Sequence, residues 1–304
     1  METKLQRIAQ IAKENPKEKF SALIHHVNKE MLMQCHKELK GNKAAGVDGI
    51  TKLQYEENLE ENIDDLLARM KRFNYRPKPS KRVYIPKPGS HKKRPLGIPC
   101  YEDKLVQLAF NKVITSIYEQ DFLDCSYGFR PNRNCHDTLK QLDVYLSRRN
   151  VNYVVDADIK GFFDNVDHEW LMKFLAHRIS DRNLLRYIKR FLKSGIMEDG
   201  SFHKSYEGTP QGGIILPTLA NIYLHYALDL WFEIVVKKQC QGEAYMVRYA
   251  DDFVCCFQYE DEAKAFYNAL GIRLAKFNLA LAEEKSNIIF FGKEAYLARK
   301  AGVE

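Results

Sequence analysis

Nowhere does this chain hold the roughly 18 consecutive apolar residues that a membrane helix needs, and no apolar stretch follows its N-terminus. Neither a membrane span nor a secretory leader is therefore expected. The cysteines at 35, 100, 125, 135, 240, 255 and 256 are odd in number and include no C-x-x-C pair or zinc-finger spacing. That excludes a disulfide framework and a structural zinc site and leads to a reduced, intracellular protein, in a bacterial cytoplasm or an organelle interior. Cys255 and Cys256 sit in an apolar run and read as packing residues. The histidines lack ligand-like neighbours, and internal repeats and low-complexity segments are missing as well. Acid is absent from one long stretch: between Arg69 and Arg94 no Asp or Glu occurs.

What fills that stretch is basic. Arg76, Lys78, Lys81, Arg82, Lys87 and Arg94 are interleaved there with Phe73, Tyr75 and Tyr84. The formal charge of the 304-residue chain is only +7, so the concentration of charge matters more than its sum. Cations of one sign with aromatics between them suit a polyanion and its bases; a solvated face is the bland alternative.

Apolar spacing predicts helices within the first forty residues, ended by Gly41, and over 59–70, 104–122, 135–147, 167–179, 182–193 and 261–277, with Asp167 as an N-cap. Another long apolar helix is expected to start at Pro217 or Thr218. Strands are expected at 81–86 and 94–98, forming a basic hairpin, at 151–158, and at 286–291. The runs either side of Tyr249-Ala250-Asp251-Asp252 read as a hairpin with acids at its turn. Two-residue turns favour Asn-Gly or Asp-Gly, which Ala-Asp is not. Adjacent carboxylates repel and resist burial, so a divalent cation is their natural occupant, although a solvated acidic turn is equally compatible with these residues alone. The order strand, helices, hairpin, helix, strand is that of a split βαβ sheet, which would bring Asp158 to the same edge as Asp251 and Asp252. Three carboxylates there make a site for two magnesium ions, with manganese as a substitute, and for nucleotidyl transfer.

Several segments carry a family resemblance. Asp158-Ile-Lys-Gly-Phe-Phe-Asp164, Gly208-Thr-Pro-Gln-Gly-Gly213 with Leu219-Ala-Asn-Ile-Tyr-Leu224, and Tyr249-Ala-Asp-Asp252 resemble the motifs of reverse transcriptases. Gly46-Val-Asp-Gly-Ile-Thr51, Arg94-Pro-Leu-Gly-Ile-Pro99, Tyr127-Gly-Phe-Arg-Pro131 and Asn165-Val-Asp-His168 are similar to the group II intron-encoded reverse transcriptase/maturase family. The resemblance implies an α+β right-hand polymerase. Residues 1–105 would form an N-terminal extension and fingers, and 106–304 a palm that returns to the fingers at about 168–205. It implies an RNA-directed DNA polymerase using an intron RNA template, a DNA or RNA primer and dNTPs, with a role in splicing and a homodimer as an open option.

By the same resemblance Asp158, Asp251 and Asp252 hold the metals. Lys285 protonates the leaving pyrophosphate, with an exposed lysine unrelated to catalysis as the plain alternative; Lys87 and Arg94 clamp the triphosphate or else touch template phosphate, and Gln211 and Gly212 meet the nucleotide. Phe163 excludes a ribose 2′-hydroxyl; a core aromatic is the plain alternative. Arg76, Lys78, Lys81, Arg82, Arg130 and Arg133 touch nucleic-acid backbone. Asp156 and Asp164 are read as structural. Leu216 departs from the family's usual Ser, and the chain ends at Glu304 without the family's thumb, which reads as a fragment. A non-catalytic RNA-binding maturase, a retron or diversity-generating reverse transcriptase, and a nucleotide cyclase are the competing readings.

Overall fold

Capping and patterning set most element boundaries in the computed structural model, which describes residues 2–86, 93–204, 208 and 212–300. The helices are α1 (Glu2–Glu14), α2 (Lys29–Glu38), α3 (Lys52–Glu56), α4 (Leu59–Lys71), α5 (Tyr101–Tyr118), α6 (Cys135–Arg148) and α7 (Phe162–Asn165). They continue with α8 (His168–Leu175), α9 (Arg182–Leu192), α10 (Leu216–Leu224), α11 (Lys237–Gln239), α12 (Glu260–Ala275) and α13 (Lys293–Lys300). The strands are β1 (Ser80–Pro86), β2 (Lys93–Ile98), β3 (Tyr153–Ala157), β4 (Ile196–Glu198), β5 (Ser201–His203), β6 (Ala244–Tyr249), β7 (Asp252–Phe257) and β8 (Asn287–Phe290). The chain is thus α+β. It divides into two compact units, one of residues 1–121 with 168–219 and one of 122–167 with 220–304.

In the first unit, Asn28 caps α2 by accepting from Met31 N, and Thr51 with Gln54 closes a capping box on α3. The helical start is interrupted after Glu14, where Asn15-Pro16 cannot continue it. Leu39 rather than Gly41 caps α2, its N–H bonding Cys35 O. The unit extends past residue 105 because α5 packs along α1 and α2. Its sheet has the order β2-β1-β4-β5, with β1 antiparallel to β2 and parallel to β4. The β4–β5 hairpin is absent from the sequence-based reading although its turn, Asp199-Gly200, has both residues at positive φ (47° and 79°), the geometry that Asp-Gly favours. Tyr75, Phe110, Tyr187 and Phe191 form an aromatic cluster at the centre of this unit.

The second unit carries an antiparallel sheet in the order β6-β7-β3-β8, against which α12 packs. Cys255 and Cys256 are fully buried in β7, as their apolar surroundings predict. Phe232, Phe257 and Phe266 interlock beneath the sheet. The long apolar helix starts at Leu216 and runs to Gln239, passing through π-helical turns at His225–Asp229 and Phe232–Val236. By length and composition it is the one helix among the described residues able to cross a membrane, but 67% of its apolar window is buried inside the protein, the pattern of a core helix.

Candidate functional site

The acidic hairpin forms as the flanking apolar runs predict: Tyr249 pairs with Asp252, leaving Ala250-Asp251 as a two-residue turn. Ala250 takes φ 60°, a left-handed conformation that costs a residue with a Cβ about 1–2 kcal/mol. The surroundings hold it there. A Cβ on Gly128 would lie 2.2 Å from Ala250 N, so only glycine lets the 127–131 loop press against the turn. Tyr127 N donates to Arg248 O (2.9 Å) and Arg248 N to Cys125 O (2.7 Å).

Arg248, in the last turn of strand before the acids, is fully buried. Its guanidinium donates to both oxygens of the equally buried Asp229 (2.8 and 2.5 Å), to Ser126 Oγ (2.8 Å), to Asn221 Oδ1 (2.9 Å) and to Ala250 O (2.7 Å). Asn221 Nδ2 in turn donates to Gly128 O at 2.7 Å. Burial alone would depress the guanidinium; Asp229 more than offsets it and holds the group above its ordinary value. His225, on the same helix, is pushed down to about 4, first by burial, and stays neutral. Arg248, Asp229 and Ser126 went unnoticed in the sequence, and Asn221 stood there only within a motif, without a role. The signal was there: a lone Arg in an apolar strand and a lone Asp in an apolar helix must pair if both are buried.

Asp158 follows the last residue of β3. Ala157 pairs with Phe253, and continuing that register by one residue sets Asp158 opposite Asp252. Asp158 N donates to Ser286 Oγ at 3.2 Å, and its carbonyl accepts from Ala282 N at 2.8 Å. Lys285 Nζ lies 2.6 Å from Asp158 Oδ2. The bond to Asp158 raises the Lys285 ammonium above its ordinary value, with a small contribution from Asp252. Among the described residues no group of three His, Cys, Asp or Glu side chains is gathered as a ready metal cage. Asp158 in its ion pair with Lys285, with Asp251 in the hairpin turn and Asp252 at the start of β7, makes a sparse set. Magnesium, which keeps its waters and takes one or two protein carboxylates with substrate phosphates, fits such a set.

Phe163 lies on α7, entered through Gly161 at φ 53°. Phe162 supplies the core contact, buried against Tyr223 at 6.2 Å, while Phe163 is half-buried and meets Phe162 edge to face at 5.3 Å. In the first unit Arg94 and Lys81 are exposed on the paired strands β2 and β1, Arg76 is exposed before them, and Arg82 is half-buried. Gly212 has φ 120°, and a Cβ there would stand 2.3 Å from Gly97 O, so close backbone approach is what this glycine provides. Leu216 is buried at the start of α10 against Gly213. Lys87 and Gln211 lie outside the described residues.

Three basic residues depart from the expectation. Arg130 is 7% exposed; its guanidinium donates to the carbonyls of Leu123 (2.8 Å) and Ser126 (2.7 Å) and lies over the Phe122 ring. It braces the loop rather than facing nucleic acid. Arg133 is partly committed to Asp124 (2.6 Å) and Tyr127. Lys78 pairs with Asp48 at 3.1 Å, as Arg69 pairs with Glu102 and Asp65. The acid-free run is thus partly neutralised by carboxylates from elsewhere in the chain. A cavity of about 530 Å³ in the first unit, bordered by Leu96, Ile98, Tyr101, Leu108 and Ile214, takes in Gly212 but none of the aspartates above.

Residues 85–299 match the family model described as reverse transcriptase (RNA-dependent DNA polymerase). The chain is 41% identical over 222 residues to the group II intron-encoded protein LtrA of Lactococcus lactis subsp. cremoris, covering 73% of this chain and 37% of that protein. It is 35% identical over 243 residues to protein YkfC of Escherichia coli (strain K12), covering 71% and 64% respectively. A putative COX1/OXI3 intron 1 protein of Saccharomyces cerevisiae is 28% identical over 225 residues, 71% of this chain and 26% of the yeast protein. The chain therefore spans between about a quarter and two thirds of the length of these relatives.

Proposed function

Because this chain belongs to the reverse transcriptase family and is homologous to group II intron-encoded proteins, we propose that it is the fingers and palm portion of an intron-encoded RNA-directed DNA polymerase. The observation that carries the reading is the strained turn Ala250-Asp251, which the buried Arg248–Asp229 pair grips beside Asp252, in the sheet where Asp158 follows the end of β3. Strain maintained by a buried network at an acidic turn is a mark of a working site.

In this reading the primer 3′-hydroxyl passes its proton to solvent as its oxygen bonds to the α-phosphorus of a dNTP and the bond from that phosphorus to the pyrophosphate oxygen breaks. Asp158, Asp251 and Asp252 would hold two magnesium ions, which would supply charge neutralisation for the phosphoryl transfer. Lys285, carried on the short helical turn before β8, gives a proton to the departing pyrophosphate. Phe163 supports the sugar and leaves no volume for a 2′-hydroxyl. In the first unit Arg94, with Lys87, takes triphosphate oxygens, Arg as a fork and Lys as a point charge. Gln211 and Gly212 meet the nucleotide. Arg76, Lys81 and Arg82 bind RNA backbone, which positions without reading sequence. The template is an intron RNA and the primer a DNA or RNA strand.

Extension of a primer on an RNA template with magnesium tests this. The wild type should extend, while Asp158→Asn and Asp251→Asn should lose activity by at least about a thousandfold and keep RNA affinity within about twofold, since in-line stabilisation is worth several kcal/mol. Extension by either variant at the wild-type rate would overturn the assignment. A wild type that binds RNA but never extends would return the chain to an RNA-binding maturase.

A further inference from the structure

Helix α9 turns a second basic surface outward, apart from the residues given roles above. Arg182, Arg186, Lys189 and Lys193 are exposed at helical spacing, while Leu184, Tyr187, Ile188 and Phe191 are buried on the opposite side. Arg186, Lys189 and Lys193 share a cavity of about 400 Å³ with Arg76, and no carboxylate borders it. Among the described residues none of these four cations forms an ion pair. The one acid at the helix, Asp181, is buried and accepts from Leu23 N, Ile24 N, Asn183 N and Leu184 N.

Beside this stripe Phe73 follows α4 at φ 59°, a position where glycine would be free of strain. The residue is 37% exposed, and its ring stacks on Tyr187 at 27° and carries the Arg186 guanidinium 4.4 Å from its centroid. Arg190 secures the loop by donating to Phe73 O (2.9 Å) and Tyr75 O (2.6 Å). A strained, part-exposed aromatic beside cations that form no ion pair puts a ring and a run of phosphate sites together, with the Arg186 guanidinium over the ring. Stabilisation of the helix C-terminus explains Lys189 and Lys193, but neither Arg186 in mid-helix nor Arg76 outside it.

We propose that Phe73, Arg186, Lys189 and Lys193 form a binding surface for single-stranded RNA, with a base stacked on Phe73 and the backbone laid along the α9 stripe. This rests on the reading of the chain as a nucleic-acid enzyme and adds to it a strand-holding surface in the unit that lacks the three aspartates. The probe is a fluorescein-labelled single-stranded RNA of about 20 nucleotides, longer than the roughly 4–16 that such grooves cover.

Anisotropy titrations of the full chain across a salt series should show the triple variant Arg186→Ala/Lys189→Ala/Lys193→Ala lowering the slope of log affinity against log salt by about 2, at about 0.7 per contact. Phe73→Leu should weaken single-strand binding on the order of tenfold and leave a blunt RNA duplex of the same length unaffected. An unchanged slope and affinity in the triple variant would overturn the proposal. So would a fall in melting temperature with unchanged binding, which would assign the stripe to support of the helix end. Equal loss of duplex binding in Phe73→Leu would remove the stacking role. Primer extension by the wild type separates the two readings: no extension together with a reduced slope in the variant sinks the polymerase and leaves the surface, whereas extension with an unchanged slope sinks the surface alone.

Discussion

Phe163 shows what a single residue can and cannot disclose in sequence. Phe162 and Phe163 are adjacent and chemically identical, yet only Phe162 fills the core, and one residue of phase decides between packing and presentation. If Phe163 walls off the sugar, Phe163→Val should reduce the preference for dNTPs over rNTPs by on the order of 1–3 kcal/mol, read from kcat/KM for each on one RNA template. A constant ratio with falling activity and stability would make Phe163 a packing residue. Motifs place the three aspartates and Lys285 at element ends, and those positions, though not their roles, could be read from the sequence. Arg130 was misread for a complementary reason: a charge in a loop looks exposed until the carbonyls that enclose it are known.

At the level of elements, the apolar runs either side of 249–252 and the run at 151–158 were sufficient to find three strands of the β6-β7-β3-β8 sheet, because short apolar runs bounded by a turn or an acid read as buried strands. The three-residue strands β4 and β5 were too short for periodicity, and only their Asp-Gly turn could have announced them. The internal grip on the acidic hairpin was invisible because it joins Ser126, Asn221, Asp229 and Arg248, which only the fold brings together. Arg248→Met leaves Asp229 buried without its cation and should cost about 3–5 kcal/mol in denaturant unfolding. Adding Asp229→Leu should restore most of that stability but not primer extension, since the bond to Ala250 O stays missing. Recovery of both together would reduce the network to a stability device. Ala250→Gly, relieved of left-handed strain, should raise stability by up to about 1 kcal/mol after the entropy of glycine is deducted.

For the molecule as a whole, two buried groups set opposing pH dependences. Burial raises the Asp103 carboxyl to about 7, against hydrogen bonds from Tyr75 OH and Lys78 N that favour its charged form. The native state therefore holds a proton that the unfolded chain releases near pH 4. This contribution is complete below about pH 4 and is lost as pH rises to about 7. His225 acts in the other direction: kept neutral by burial, it contributes fully above about pH 6.5 and is lost as pH falls towards about 4. Melting temperatures of Asp103→Asn should consequently decline less than those of the wild type between pH 5 and 7, by several degrees. Parallel profiles for the two proteins would remove Asp103 from the account.

The ammonium of Lys285 on Asp158 means that this corner of the protein carries its own counter-ion. An arriving divalent ion is then a replacement for an internal partner rather than the first relief from repulsion, so its gain is a difference between two occupants. Lys285→Met should expose that difference: without magnesium the variant should melt below the wild type, and saturating magnesium should raise its melting temperature by more than it raises the wild type's. Equal magnesium-induced shifts in both proteins would mean that the lysine and the ion do not share one place.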